Sequence, residues 1–174
     1  VNVRVRDARP AERPVIAALT RMAYAEFATV MEPAAWAGLD AAVGAALESD
    51  APGVQRIVAE RGAELVGSVM LYPPEADAYG GLAEGAGWPE LRLLAVSPYA
   101  RGRGIGRVLV EECVRRARAM GASELGLHTS ESLRAAVRMY ERMGFQRVPA
   151  HDFRPEGAEL VMAYHLPLGD FGAV

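Results

Sequence analysis

Apolar and polar residues alternate from the first position. Val1, Val3 and Val5 interleave with Asn2, Arg4 and Arg6, which predicts a strand over 1–6. Pro10 and Pro14 bracket the entry to a helix running to about Phe27, with Val15, Leu19, Met22, Ala23 and Phe27 at helical spacing. Pro33 opens a second helix whose stripe is Trp36, Leu39, Val43 and Leu47, and Asp50-Ala51-Pro52-Gly53 ends it. Residues 54–60 and 65–72 read as a hairpin around Gly62. The run 91–96 is nearly all apolar, as expected of a central strand buried on both faces. A helix over 105–120 lines up Ile105, Leu109, Cys113 and Ala117, and Gly121 closes it. Its outer face carries Glu111–Arg115 and Glu112–Arg116, each spaced for an ion pair. A strand over 124–129 precedes a helix that starts at Ser132 as N-cap and runs through Met143 to Gly144. The last strands fall at 145–148 and 159–166, and the tail from Pro167 is expected to be loosely held.

Residues 73–89 break the pattern. Pro73-Pro74 opens the stretch, Gly80, Gly81, Gly85 and Gly87 interrupt it, and Glu75, Asp77 and Glu84 give it acid without base. It exceeds the roughly 12–15 residues usual for a connection in a compact domain. It reads either as a functional loop or as a tolerated surface insertion.

Composition narrows the field by exclusion. The chain has 174 residues, 51% of them apolar and 24% charged, with a formal net charge of −3. That is ordinary for a globular protein and excludes a bulk nucleic-acid binder. No apolar run approaches the roughly 18–20 residues that span a bilayer. One cysteine, Cys113, excludes an internal disulfide and a multi-cysteine metal site, and on a core stripe it reads as a small buried hydrophobe. His151 and His165 lie outside any motif, so no metal site is expected. All basic residues are arginine, which excludes a Walker-type phosphate loop and a pyridoxal Schiff base, both of which need lysine. One domain over 1–166, a tail over 167–174 and a cytoplasmic location are the expectation.

Candidate chemistry concentrates at Arg101-Gly102-Arg103-Gly104-Ile105-Gly106, between the strand at 91–96 and the helix at 105. A glycine turn feeding a helix leaves several N–H groups pointing one way, at the positive end of the helix dipole. Arg101, Arg103 and Arg107 crowd the same end, where cations repel one another unless an anion joins them. A phosphate-bearing ligand against 101–107 follows. The spacing Gly102-x-Gly104-x-Gly106 is not that of a nicotinamide-binding turn, and no acidic residue closes a later strand at the expected distance.

A second block, Met139-Tyr140-Glu141-Arg142-Met143-Gly144-Phe145, follows downstream. With Arg101, Gly104 and Gly106 it resembles the two signature blocks of the GNAT superfamily of acyl-CoA-dependent N-acyltransferases. The resemblance is strong over about 90–148 and extends through the order of elements. It implies an α/β (α+β) fold: a mixed, mostly antiparallel sheet of about seven strands with a splayed parallel pair at its centre, flanked by about four helices. It further implies acetyl-CoA as acyl donor, its pantetheine arm paired with the backbone of Leu94, Ala95 and Val96 as an added strand would be. The pyrophosphate would sit on Arg101, Gly102, Arg103, Gly104, Ile105, Gly106 and Arg107, with Ser132 beside the arm.

On this resemblance Tyr140 matches the tyrosine that protonates the departing sulfur, and Ala95 or Val96 N–H is the oxyanion donor. Glu90 matches the general base of the histone-acetylating branch, against a solvated strand-end glutamate as the alternative. His128 is a further base candidate, or a satisfied strand histidine. Many members carry an asparagine seven residues before the tyrosine; here that position is Leu133. Tyr24, Phe27, Met31, Trp36, Tyr72, Tyr79 and Trp88 are candidates for an acceptor pocket, Tyr79 and Trp88 foremost, and the acidic loop suits a cationic acceptor. The implied activity is acetyl transfer to a primary amine of a small molecule or peptide by direct attack in a ternary complex. A non-catalytic acyl-CoA sensor is the alternative, and a homodimer is compatible with the superfamily.

Overall fold

A computed structural model describes residues 2–81 and 87–169. Val1, Glu84, Gly85 and the end of the tail therefore lie outside the described residues. The strands are β1 (Arg4–Asp7), β2 (Gln55–Arg61), β3 (Glu64–Tyr72), β4 (Glu90–Val96), β5 (Glu124–Thr129), β6 (Gln146–Arg147) and β7 (Met162–Pro167). The helices are α1 (Arg13–Tyr24), α2 (Pro33–Glu48), α3 (Ile105–Ala119) and α4 (Arg134–Arg142). One seven-stranded sheet runs β1-β2-β3-β4-β5-β7-β6. Every neighbouring pair is antiparallel except β4 and β5. This is the expected mixed sheet with a parallel pair at its centre.

The two faces are built differently. Leu91, Leu125 and Leu127 face the main core, where Ile105, Leu109, Val110, Cys113 and Ala117 of α3 are all buried. Gly67 lets α3 close on β3, because a Cβ there would stand 3.0 Å from both Ile105 and Leu109. The opposite face takes α1 and α2: Leu19 and Ala23 pack on Ala95, and Val43 and Ala46 cluster with Met70, Tyr72 and Leu93. Schellman-type bonds end α3 and α4, from Ala122 N–H to Ala117 O and from Phe145 N–H to Tyr140 O, over Gly121 and Gly144 at positive φ.

Several expectations are corrected. The first strand spans Arg4–Asp7, and α1 begins at Arg13 and ends at Tyr24 in a 3-10 turn. Its buried line is Ile16, Leu19, Thr20 and Ala23, while Val15 and Met22 are exposed. Thr20 is tolerated inside because its hydroxyl donates to Ile16 O, the backbone turn above it. On α3, Arg115 bends to Glu112, as Arg116 also does, and Glu111 takes Arg107 instead. Ser132 is not a cap: α4 starts after Leu133 without a side-chain cap, and the Ser132 hydroxyl donates to Glu159 at 2.5 Å. The late strands shrink to Gln146–Arg147 and Met162–Pro167. Pro167 belongs to β7 and Leu168 is buried, its N–H bonded to Ser123 O, so the chain is held at least that far. Among the described residues no helix is long and apolar enough to cross a membrane.

Candidate active site

The parallel pair is joined at one rung. Glu90 faces Gly126, whose N–H bonds Pro89 O, and beyond it β4 and β5 share no further rung. A bulge turns β4 at this level, where Leu93 takes φ 52°, costly for a residue with a Cβ. Past the bulge Ser97 N–H bonds Val66 O on β3. Antiparallel ladders alternate, so the Ala95 amide also turns to β3 and those of Leu94 and Val96 turn to the open side. Of the two amides expected to face a thioester, only that of Val96 points into the gap.

Directly after β4 the turn enters α3. Gly102 and Gly104 both take positive φ, 72° and 74°, and Gly104 is the N-cap. Only glycine adopts this conformation without strain. The first intrahelical bond runs from Val108 N–H to Gly104 O, so the amides of Ile105, Gly106 and Arg107 have no partner inside the helix. Gly106 keeps the turn close to β4 and α4: a Cβ there would meet Met139 Sδ at 3.4 Å and Val96 at 3.6 Å. The arginines behave differently from expectation. Arg101 turns back to Glu26 at 2.6 Å and to Ala23 O, with Nε 3.4 Å from Val96 O. Arg107 is paired with Glu111. With Arg101 and Arg107 each matched by a glutamate, no crowd of three unpaired cations calls for an anion, whereas the backbone donors and the dipole of α3 remain.

Tyr140 is buried on α4 against Phe145, ring centres 5.6 Å apart. Burial, reinforced by Tyr24 and Cys113, raises its pKa well above the ordinary phenol value, so it stays protonated. Burial likewise pushes Tyr24 up to about 12 and Cys113 up to about 12. Cys113 is fully buried and far from thiolate chemistry.

On the α1–α2 face, side chains from five segments converge. Glu90 Oε1 stands 2.7 Å from His128 Nδ1, both side chains largely buried. No hydrogen bond of regular geometry joins them, and Nδ1 has no other partner. The other nitrogen, Nε2, lies 3.0 Å from His151 O. Burial opposes charging of His128, but Glu90, the His151 carbonyl and Asp152 outweigh it and raise its pKa. Tyr79 packs edge-on against His128 at 4.7 Å, and Phe153 lies 5.2 Å from the same ring. Tyr79 is held by Asp77, which accepts from its N–H, and by Arg92 over its ring at 4.5 Å. Burial, then the Glu90 charge, keeps its phenol protonated, and its hydroxyl is buried near Glu90 and the His128 backbone without a hydrogen bond of regular geometry. Trp88 covers Gly126, where a Cβ would collide with its indole nitrogen, and it packs on His151 and His165. Beside it His165 pairs with Glu124.

The profile described as the Acetyltransferase (GNAT) family matches residues 18–145. The chain belongs to the GNAT family. Within it, the chain is 40% identical over 67 residues to a mycothiol acetyltransferase of Thermobispora bispora, which covers 37% of this chain and 23% of that protein. It is 31% identical over 112 residues to the IAA acetyltransferase of Azospirillum brasilense, covering 64% and 67%. The chain thus spans about a quarter of the length of the mycothiol acetyltransferases it matches. Its fold is shared with a Salmonella typhimurium structure described as an acetyltransferase with its cofactor acetyl-CoA, at TM-score 0.65 and 18% identity, covering 100% of this chain and 98% of that one.

The GNAT scaffold brings Leu94, Val96 and the 102–107 turn together at one gap, and places Glu90 and His128 on its far face. It leaves the side chains of Arg101 and Ser132 engaged with Glu26 and Glu159. Sequence reasoning missed the Glu90–His128 contact, and Phe153 and Asp152 altogether. Only strand alternation could have signalled the contact, by putting residues 126 and 128 on the face opposite Leu125 and Leu127. Of the aromatic candidates, Tyr79 and Trp88 do line this face. A separate groove of about 860 Å³ runs outside α3, lined by Arg107, Arg115, Arg118 and Arg142 over Met143 and Leu166. It contains neither Tyr140 nor Glu90. Among the described residues no cluster suits a metal ion.

Proposed function

We propose that this GNAT protein is an N-acetyltransferase that moves an acetyl group from acetyl-CoA to a primary amine of a small molecule or peptide. The observation that carries the reading is the gap opened by one rung between β4 and β5, directly beside a helix start rich in free amides. An extended amide-bearing arm can complete the ladder that β5 does not, using the free amides of Leu94 and Val96. A diphosphate can take the amides of Arg103, Gly104, Ile105, Gly106 and Arg107, at the positive end of α3. The donor set therefore fits acetyl-CoA, which supplies an activated thioester when bound.

Both substrates bind together, so no covalent enzyme intermediate is needed. The acceptor ammonium first gives a proton to Glu90, freeing the nitrogen lone pair. That pair forms the N–C bond at the thioester carbon while the carbonyl oxygen gathers negative charge against Val96 N–H. The C–S bond then breaks and the sulfur takes the Tyr140 proton, a role suited to a phenol held in its protonated form. The nitrogen loses its second proton, which restores the phenol, and one proton reaches solvent overall.

The test is thiol release from acetyl-CoA with a panel of amines, amino acids, polyamines and peptides. Turnover with at least one amine is the expected result. Tight acetyl-CoA binding with no turnover on any acceptor would make the chain a non-catalytic acyl-CoA-binding module.

A further inference from the structure

We infer that Glu90 and His128 act as one base, and that the proton taken from the acceptor amine settles between Glu90 Oε1 and His128 Nδ1. The inference rests on the transferase reading above and assigns a second residue to its proton transfer. It starts from hydrogen-bond direction. His151 O can only accept, so Nε2 of His128, 3.0 Å away, carries a proton in every ionisation state of the pair. In the neutral ring Nδ1 is then a lone pair. A carboxylate oxygen, which also carries lone pairs, stands 2.7 Å from it, off the line of a regular hydrogen bond. Two acceptors at that distance repel unless a proton comes between them. The His151 carbonyl thus turns the contact into a place that gains a proton favourably.

The surroundings keep that place specific. Glu90 and Arg92 approach from β4, Tyr79 from the loop after β3, and His151 and Asp152 from the turn after β6. Arg92 is committed to Ala78 O and to the Tyr79 ring, and Asp152 to Arg147. Glu124, on β5 itself, and His165, on neighbouring β7, engage each other. Tyr79 and Phe153 shield the imidazole, which strengthens the coupling between the two charges. The Tyr79 hydroxyl is buried beside the Glu90 carboxylate and the His128 backbone. The proton-free form of the contact is the working base. Protons balance: one leaves the ammonium, enters the Oε1–Nδ1 contact, and passes to solvent after the amide has formed.

Two measurements on the full chain test this. In nitrogen NMR of the ligand-free protein, Nε2 of His128 should stay protonated from acid to alkaline pH while Nδ1 titrates, and Glu90→Gln should lower the Nδ1 midpoint. A midpoint unmoved by Glu90→Gln, or a proton found on Nδ1 with Nε2 bare, overturns the shared proton. In thiol release with any amine of the panel that wild type accepts, the rate should rise with pH through that same midpoint. His128→Asn should remove this inflection and lower the alkaline rate by about tenfold or more, with acetyl-CoA affinity unchanged. His128→Gln serves where the shorter variant fails to fold. An inflection that survives either substitution overturns the catalytic pairing. If wild type accepts no amine at all, the transferase reading fails and the pair's catalytic use fails with it, whereas the NMR experiment still decides the shared proton.

Discussion

The two sides of the β4–β5 gap are made from different materials. On the α3 side, where we place the coenzyme, the contacts are backbone: the Leu94 and Val96 amides past the bulge, and the amides that open α3. On the α1–α2 side, where we place the acceptor, the contacts are side chains: Glu90, His128, Tyr79, Trp88 and Phe153, drawn from separate segments. A backbone site tolerates many sequences provided glycine stands where φ is positive. A side-chain site changes with each residue that lines it. One scaffold can therefore keep its donor and change its acceptor.

Substitutions that strike one side and spare the other put this division at risk. The largest effect is expected at Gly104, whose φ of 74° favours glycine. Gly104→Val should weaken CoA binding on the order of 10²-fold or more, by misaligning charge-assisted bonds worth about 1.5–3 kcal/mol each. The strain should lower stability by only about 1–2 kcal/mol. Calorimetric titration alongside thermal unfolding separates the two losses, and retained affinity would move the diphosphate elsewhere. Next comes Tyr140→Phe, which should slow turnover by about 10²-fold while leaving acetyl-CoA affinity in place. Steady-state kinetics with a binding measurement checks this, since an equal loss in both would make Tyr140 a packing residue.

The converse probe is Gly126→Ala. Its Cβ would collide with Trp88, so the indole must shift. The overpacking should cost about 1–3 kcal/mol, with poorer acceptor turnover and unchanged CoA affinity. Trp88 fluorescence in a Trp36→Phe background would report the movement, and lost CoA binding would show that the two sides are not separable.

The smallest effects are those of pH on stability. Glu12 is held at about 2, first by its bond from Arg6, and Glu112 at about 2, first by Arg115. Such depressed carboxyls stabilise the fold fully above their ordinary 4.5 and lose that contribution as pH falls toward about 2. His128 has the opposite sign. Its raised pKa makes the Glu90 contact fully stabilising below 6.5 and weaker as pH rises past the raised midpoint. Denaturant midpoints of wild type and Glu90→Gln should converge in alkali. A constant gap would exclude the linkage.

The same division decides what could be read from the chain. The 101–106 turn and the Ile105–Leu109–Cys113–Ala117 line were legible, because glycine conformation and helical spacing are local properties. The α1 face was misjudged because Thr20 enters the core by bonding its own backbone, which hides it from an apolar count. Arg101 reads from the sequence as part of the helix start because its partner, Glu26, is distant along the chain. The Leu93 bulge carries no glycine to announce it. The acceptor side was the least legible, since β4, β5 and the turn after β6 meet only in the fold.

Everything on the coenzyme side depends on main-chain nitrogens at the start of α3. The most direct test is a crystal structure of the protein with CoA. The diphosphate is expected on the amides of residues 103–107, with the pantetheine arm alongside Leu94–Val96. A diphosphate bound anywhere else, including the arginine-lined groove outside α3, would contradict it.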